Sequence, residues 1–263
     1  MSETFAPRHH IVNAVVQSAG RSTLPFQQAN AGRNHGTAFR YNHLIGSTPD
    51  GETVRQYLVT AGALTRYDLA QWTLRAELCE PAMSAEQLLM TDFAAGWTHL
   101  DRLGVAVMPT AGLDAHAERK GWRWTTDEIT EGLAASAQDV AAIGDGPVPA
   151  YLLGHDVGAD AGERLQAVVG GAIARDADGV VRWDGPLPDG CAGGPVFIGL
   201  SLGDDRFRLL CVGLALPGEG ANEIVTFDRI RTAVDGLAPV DGHTSVDGPA
   251  EATLRRWWQR RRR

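Results

Sequence analysis

This chain is poor in several things that would have narrowed its class at once. No stretch approaches eighteen uninterrupted apolar residues, which excludes a membrane-spanning helix on sequence grounds. The opening residues, MSETFAPRHH, lack the charged-then-apolar layout of a secretory signal, so a soluble, cytoplasmic chain is expected. Only three cysteines occur, Cys79, Cys191 and Cys211, an odd number spread far apart. Neither a disulfide framework nor a zinc-type ligand spacing follows from them, and reduced thiols are expected. Lysine occurs once, at Lys120, so almost every cation is an arginine.

With 44% hydrophobic and 21% charged residues, the 263-residue chain is neither disordered nor a coiled coil, and it is long enough for one large domain or two small ones. The formal net charge is −8, but residues 255–263 (RRWWQRRRR) hold six arginines and no acid. The remaining 254 residues therefore carry 18 basic against 32 acidic groups, a net of −14. An acidic body repels phosphates, which argues against nucleic acid as a partner. Arg255, Arg256, Trp257, Trp258 and Arg260 of the tail suit an anionic surface or the acidic face of a second copy.

Short runs rich in Val, Leu, Tyr and Phe, bounded by Gly, Pro, Asn and Asp, read as strands in two series. HIVNAVVQ, GTAFRY, RQYLVTAGAL, QWTLRAEL and LGVAVMPT form the first; VPAYLLGH, RLQAVVGGAIAR, GPVFIGL, FRLLCVGLAL and ANEIVTF form the second. Many short strands with regular turn signals predict a sandwich or barrel. Helical signals are few. Ser84–Ala94 begins with a capping serine, and residues 125–140 carry a capping-box pattern at Thr125 or Thr126 with Glu128. Residues 227–237 place Phe227, Ile230, Val234 and Leu237 on one helical stripe. The organisation expected is an N-terminal β lobe over 10–120, a helical connector over 121–139, a C-terminal β lobe over 140–237, a Gly/Pro/Asp-rich linker over 238–254 and the basic tail.

The most demanding stretch is DGCAGGPVFIG, 189–199. Repeated glycines entering an apolar strand mark a backbone that needs positive φ or a close approach. By itself this could be a tight hairpin entry. It resembles the nucleophile loop of trypsin-like serine peptidases, Gly-x-Ser-Gly-Gly-Pro, with Gly190, Gly193, Gly194 and Pro195 in frame and Ala192 at the nucleophile position. QYLVTAGALTRYD (56–68) is similar to the strand and turn that reads Leu-Val-Thr-Ala-Ala-His in that family, and puts Ala63 at the base position. GTAFRY is similar to the strand before it. GVAVMP resembles the strand that the family's acid opens, and puts Gly104 at the acid position, with Asp101 three residues earlier.

The resemblance, over residues 11–237, implies an all-β trypsin/chymotrypsin-like double β-barrel with a C-terminal helix. It also implies a triad lost at all three positions. An alanine methyl cannot perform acyl transfer, so the function implied is an inactive pseudopeptidase that binds peptide or protein, or regulates. The alternative is an active serine endopeptidase whose triad was substituted or lies in another register. The oxyanion-hole donors of the family would be the backbone N–H groups of Gly190 and Ala192, and the substrate-holding edge would be Gly213, Leu214, Ala215 and Leu216. The floor of the primary specificity pocket would fall near Pro186, and Cys191 stands where zymogen-activated members carry an aspartate.

Rival signals are weaker. Cys191 lacks an imidazole at the base position to activate it. GLSLG (199–203) matches the hydrolase elbow around Ser201, but the polar turn and apolar run after it read as a hairpin. The eight histidines, His99 and His155 among them, lack metal-helix spacing and are read as surface or packing residues. No metal or cofactor is implied.

Overall fold

The structure, a computed structural model, describes residues 8–30, 33–48, 51–73, 75, 78–81, 87–157, 164–203 and 206–237. The chain begins with helix α1 (Arg8–Ala19), followed by β1 (Thr23–Gln28), β2 (Arg33–Thr48), β3 (Gly51–Ala61), β4 (Ala70–Thr73), β5 (Cys79–Glu80), β6 (Gln87–Met90), β7 (Thr98–Leu100) and β8 (Val105–Pro109). Helix α2 (Ala111–Arg119), β9 (Arg123–Trp124) and the short helix α3 (Ala137–Ala141) lead to the second half. That half comprises β10 (Val148–Val157), β11 (Arg164–Arg175), β12 (Val181–Asp184), β13 (Pro195–Gly203), β14 (Arg206–Leu216), β15 (Asn222–Thr226) and helix α4 (Phe227–Asp235).

The first half curls into a seven-stranded sheet of order β6-β4-β1-β2-β3-β8-β7, a half-barrel, and the second closes into a six-stranded barrel, β10-β11-β12-β15-β14-β13. Every pairing within both is antiparallel. Each lobe has its own core. Phe26, Trp72, Phe93 and Trp97 fill the half-barrel against Leu58 and Ala106, with Phe26 and Trp72 centroids 5.2 Å apart. Ile173, Trp183, Val196, Leu210, Val212 and Ile224 fill the closed barrel. The two-lobed all-β architecture with a C-terminal helix is the trypsin/chymotrypsin-like one expected from the sequence. Residues 1–233 form one compact unit and 234–263 a second, of which 234–237 are described: the end of α4 and one residue pair beyond it.

Three expected elements differ. HIVNAVVQ is helical, because Ile11, Val15 and Ala19, four residues apart, bury one stripe, and Ile11 lies so close to Gly199 of β13 that a Cβ there would sit 2.7 Å from its Cδ1. The connector is not a helix over 125–140. Its backbone groups are taken by strands instead: Asn42 donates to the Ile129 carbonyl and Ile129 to that of Arg40, while Cys211 donates to Leu133 and Ala135 to Cys211. The capping box lies further on, where Ser136 and Asp139 bond reciprocally at the start of α3. Of the helix expected at 84–94, Gln87–Met90 is a strand paired with β4, and 84–86 lie outside the described residues. The linker and tail, including Arg255, Arg256, Trp257, Trp258 and Arg260, also lie outside them.

Candidate functional site

The glycine-rich segment folds as two successive tight turns. Cys191 donates its N–H to the Pro188 carbonyl at 3.0 Å, with Gly190 at φ +87, and Gly194 donates to the Cys191 carbonyl at 3.0 Å, with Gly193 at φ +83. A positive φ at the third residue is what a type II turn demands, and glycine meets it without a Cβ penalty. This pair of turns sets Ala192 at the tip, half-buried.

The loop is lashed to both lobes. The Thr37 N–H donates to the Ala192 carbonyl at 3.0 Å, and the Thr37 hydroxyl donates to the Gly190 carbonyl at 2.7 Å while accepting from the His155 N–H at 3.1 Å. Thr60 Oγ1 donates to the Thr37 carbonyl at 2.7 Å. On the other side Gly193 donates to Ala215, 2.9 Å, and Ala215 to Gly194, 3.1 Å. Gly193 approaches β3 so closely that a Cβ would lie 2.3 Å from Thr60 Oγ1 and 2.8 Å from the Ala61 nitrogen.

That approach brings the loop to the end of β3, where a 3-10 turn over Gly62–Thr65 carries Ala63, exposed. The Gly62 N–H donates to the Gly104 carbonyl at 2.8 Å. Gly104, at φ +66, leaves the turn Asp101–Leu103 and opens into β8. The segments that carry Ala63, Gly104 and Ala192 are thus linked through Gly62, which bonds Gly104, and through Gly193, which packs on Thr60 and Ala61. None of those three residues presents a hydroxyl, imidazole or carboxylate. A Cβ on Gly104 would stand 3.1 Å from Leu216 Cδ1, so the space beside this position is occupied by a leucine. Asp101 is not brought into the site: it is exposed and pairs with Arg66 at 2.6 Å.

Gly190 and Ala192 keep their carbonyls bonded to Thr37, but neither N–H has a hydrogen-bond partner among the described residues. The expected edge at Gly213–Leu216 needs correction. Gly213 and Leu214 pair with β13 on one side and β15 on the other, and Ala215 uses its N–H and carbonyl on the loop, so only Leu216, paired with Glu223 alone, lies at a free border. The register of the loop against β14 moves the edge to the end of the strand.

The other candidates fall elsewhere. Cys191 is fully buried, and burial followed by Asp156 and Asp189 pushes its thiol up to about 12, which leaves no thiolate at neutral pH. Ser201 is exposed within the β13–β14 hairpin, opposite Phe207. Pro186 accepts the Trp183 indole N–H at 3.1 Å. His99 shares a hydrogen bond with Thr65 at 2.9 Å, its pKa lowered by burial and then Arg66. His155 is fully buried, 3.0 Å from Thr23 Oγ1. Among the described residues no cluster of three or more His, Cys, Asp or Glu could hold a metal, and no helix is long and apolar enough to cross a membrane. The sequence reading missed Thr37 and Thr60. Both stand inside quoted motifs, GTAF and LVTA, and each is a hydroxyl on a strand that is buried beside a glycine loop.

Strand order, the closed barrel and the loop seated between the lobes define the class: an all-β fold of the trypsin/chymotrypsin type. No protein-family profile and no curated protein sequence matches the chain. Among solved structures it is similar to the serine endoprotease from Yersinia pestis, at 11% identity over 85% of this chain and 65% of that one, TM-score 0.48. It is also similar to the inactive form of Rv3671c protease, 11% identity over 91% and 100%, TM-score 0.49. A third is the HtrA-type protease AlgW with a tripeptide, 14% identity over 86% and 61%, TM-score 0.47. The chain thus spans less than two thirds of the Yersinia pestis and AlgW chains.

Proposed function

We propose that this protein is a catalytically inactive, trypsin-like pseudopeptidase that binds a peptide or protein segment at the junction of its lobes, in a scaffolding or regulatory role. One observation carries the reading. The loop around Ala192 is built and held against β2, β3 and β14, with its Gly190 and Ala192 N–H groups unbonded among the described residues, yet it carries an alanine at its tip, and the neighbouring segments offer Ala63 and a Gly104 packed against Leu216. A site without triad side chains retains roughly 10³ to 10⁴-fold acceleration over water, negligible for peptide bonds. Binding apparatus needs only backbone. Two free N–H donors suit a carboxylate or carbonyl oxygen, and the strand border at Leu216 suits an extended chain. The fully buried Cys191 thiol supports inactivity further.

The tail residues Arg255 to Arg263 belong to the same reading as an anchor to an anionic surface or to a second copy, in the cytoplasm. The test is incubation of the full chain with a fluorophosphonate probe and a quenched-peptide library, beside a peptide array for binding. No labelling, no cleavage and retained array binding are expected. Probe labelling of the native chain at any residue would overturn the reading. In a restored control, Ala63→His, Gly104→Asp and Ala192→Ser are made with and without Leu216→Gly, because a Cβ at position 104 would stand 3.1 Å from Leu216 Cδ1.

A further inference from the structure

Where the second lobe leans on the first, side-chain donors gather. β11 opens with Arg164, whose Nη2 donates to Thr73 Oγ1 at the end of β4. Two residues on, the Gln166 amide donates to the Gly20 carbonyl at 2.6 Å and to Thr23 Oγ1 at 2.8 Å. Arg75 Nη2 donates to that same carbonyl at 2.7 Å. The His155 ring fills the space between, with Nε2 3.0 Å from Thr23 Oγ1 and Nδ1 3.4 Å from the Arg164 carbonyl. Burial first, then the charges of Arg75 and Arg164, keep that ring neutral, so a positive field pervades the junction. Arg164 forms no ion pair among the described residues, and its Nη1 is closed off from solvent with no acceptor. The described group whose negative charge would act on it is the Tyr67 phenol, which burial pushes well above its ordinary value and so holds protonated at neutral pH. A guanidinium nitrogen without water or acceptor loses its hydration with no replacement, and an uncompensated charge loses more.

We propose that Arg164, at the lobe junction between Thr73 and His155, is a recognition site for a carboxylate. Arg164 as a whole is half-buried and is the first residue of its strand, so its head group meets a solute by side-chain rotation alone. An ionised carboxylate fits in three ways. It only accepts hydrogen bonds, as a set of donors requires. Its single negative charge balances the arginine that lacks an acid, where a carbonyl or hydroxyl brings no charge and a phosphate brings more than one. Its two oxygens match the planar fork of a guanidinium in charge-assisted bonds, the stronger kind. A free organic acid and the acidic side chain of a bound peptide share this chemistry. The site is separate from the loop around Ala192 and stands whether or not that loop binds a peptide.

The test is a titration of the isotope-labelled full chain with sodium acetate at pH 7, followed by NMR at the backbone amides of Thr73 and Leu165, the Gln166 side-chain amide and the Arg164 Nε–H, with sodium chloride at equal ionic strength as control. In the wild type these signals shift saturably with acetate and not with chloride. Arg164→Gln weakens the response by about tenfold or more, whereas Arg208→Gln, at an arginine already paired with Asp139 at 3.4 Å, leaves it unchanged. An equal midpoint in Arg164→Gln overturns the proposal, as does an equal response to chloride. Inorganic phosphate binding more tightly than acetate overturns the assignment to a singly charged ligand. Should Arg164→Gln fail to fold, the wild type decides alone: an Arg164 Nε–H signal that does not move with acetate sinks the proposal. A pentapeptide of alanine with one central glutamate, blocked at both ends, separates the two sources. A midpoint at least about tenfold below that of acetate, lost in the glutamine counterpart, assigns the carboxylate to a bound chain, and equal midpoints assign it to a free acid; both support the site.

Discussion

His155 makes the acid stability of this protein calculable. Its ring is fully buried, with Nε2 3.0 Å from Thr23 Oγ1 and the Gln166 amide donating to that same hydroxyl at 2.8 Å. Burial, then the charges of Arg75 and Arg164, hold its pKa down to about 3. An unfolded histidine titrates near 6.5, so below that pH the unfolded chain binds a proton that the folded chain refuses. The stabilisation from keeping this ring neutral is complete above about pH 6.5 and is lost as pH falls toward 3. At pH 4.5 the linkage costs about 3 kcal/mol relative to pH 8, a large part of the 5 to 15 kcal/mol typical of a domain. Urea denaturation of the wild type and His155→Gln at steps between those pH values measures it. Glu131 and Asp139, whose carboxyls are held below the ordinary range, and His99 titrate in both proteins and cancel in the difference. The stability advantage of the wild type over the variant should shrink by about 3 kcal/mol on going from pH 8 to 4.5. Parallel loss in the two proteins would refute the burial argument.

Gly193→Ala forces a Cβ to 2.3 Å from Thr60 Oγ1 at φ +83, where L side chains are strained, and should destabilise the fold by about 3 kcal/mol or more, read from the urea midpoint; a loss under about 1 kcal/mol would show that the loop is not packed on β3. Cys191 should resist iodoacetamide at pH 8 in the native protein and react only after unfolding, because its thiol is buried and its pKa is pushed up to about 12; mass spectrometry of the alkylated peptide checks this, and native labelling at the rate of a free thiol would count against it.

What could be read directly from the chain is what local chemistry dictates. The GCAGGP segment announces two turns because positive φ at Gly190 and Gly193 is a property of those residues and their neighbours. Most strands showed themselves by β-branched and aromatic runs between turn residues, and the stripe Phe227, Ile230 and Val234 predicted α4. Residues 10–17 misled because a short apolar run serves a buried helix as well as a strand; the contact of Ile11 with Gly199, nearly two hundred residues away, decided it. Residues 125–135 misled for a related reason. Their helix signals are worth tenths of a kcal/mol to about one each, and the bridges of Ile129 to Tyr41 and Ala134 to Cys211 outweigh them.

For the site, the motif order singles out Ala63, Gly104 and Ala192, since each stands at a fixed offset inside a strand-and-turn pattern. That Gly62 bonds Gly104, that Leu216 lies against Gly104, and that Thr37 grips the loop were decided only by tertiary structure. Sequence determines which backbone conformations each segment can adopt; which carbonyl a buried hydroxyl finds depends on how two separately closed sheets pack. An unpaired hydroxyl or carbonyl in that interface would lose its water without replacement, and that penalty selects the one arrangement in which Thr37, Thr60 and the loop satisfy one another.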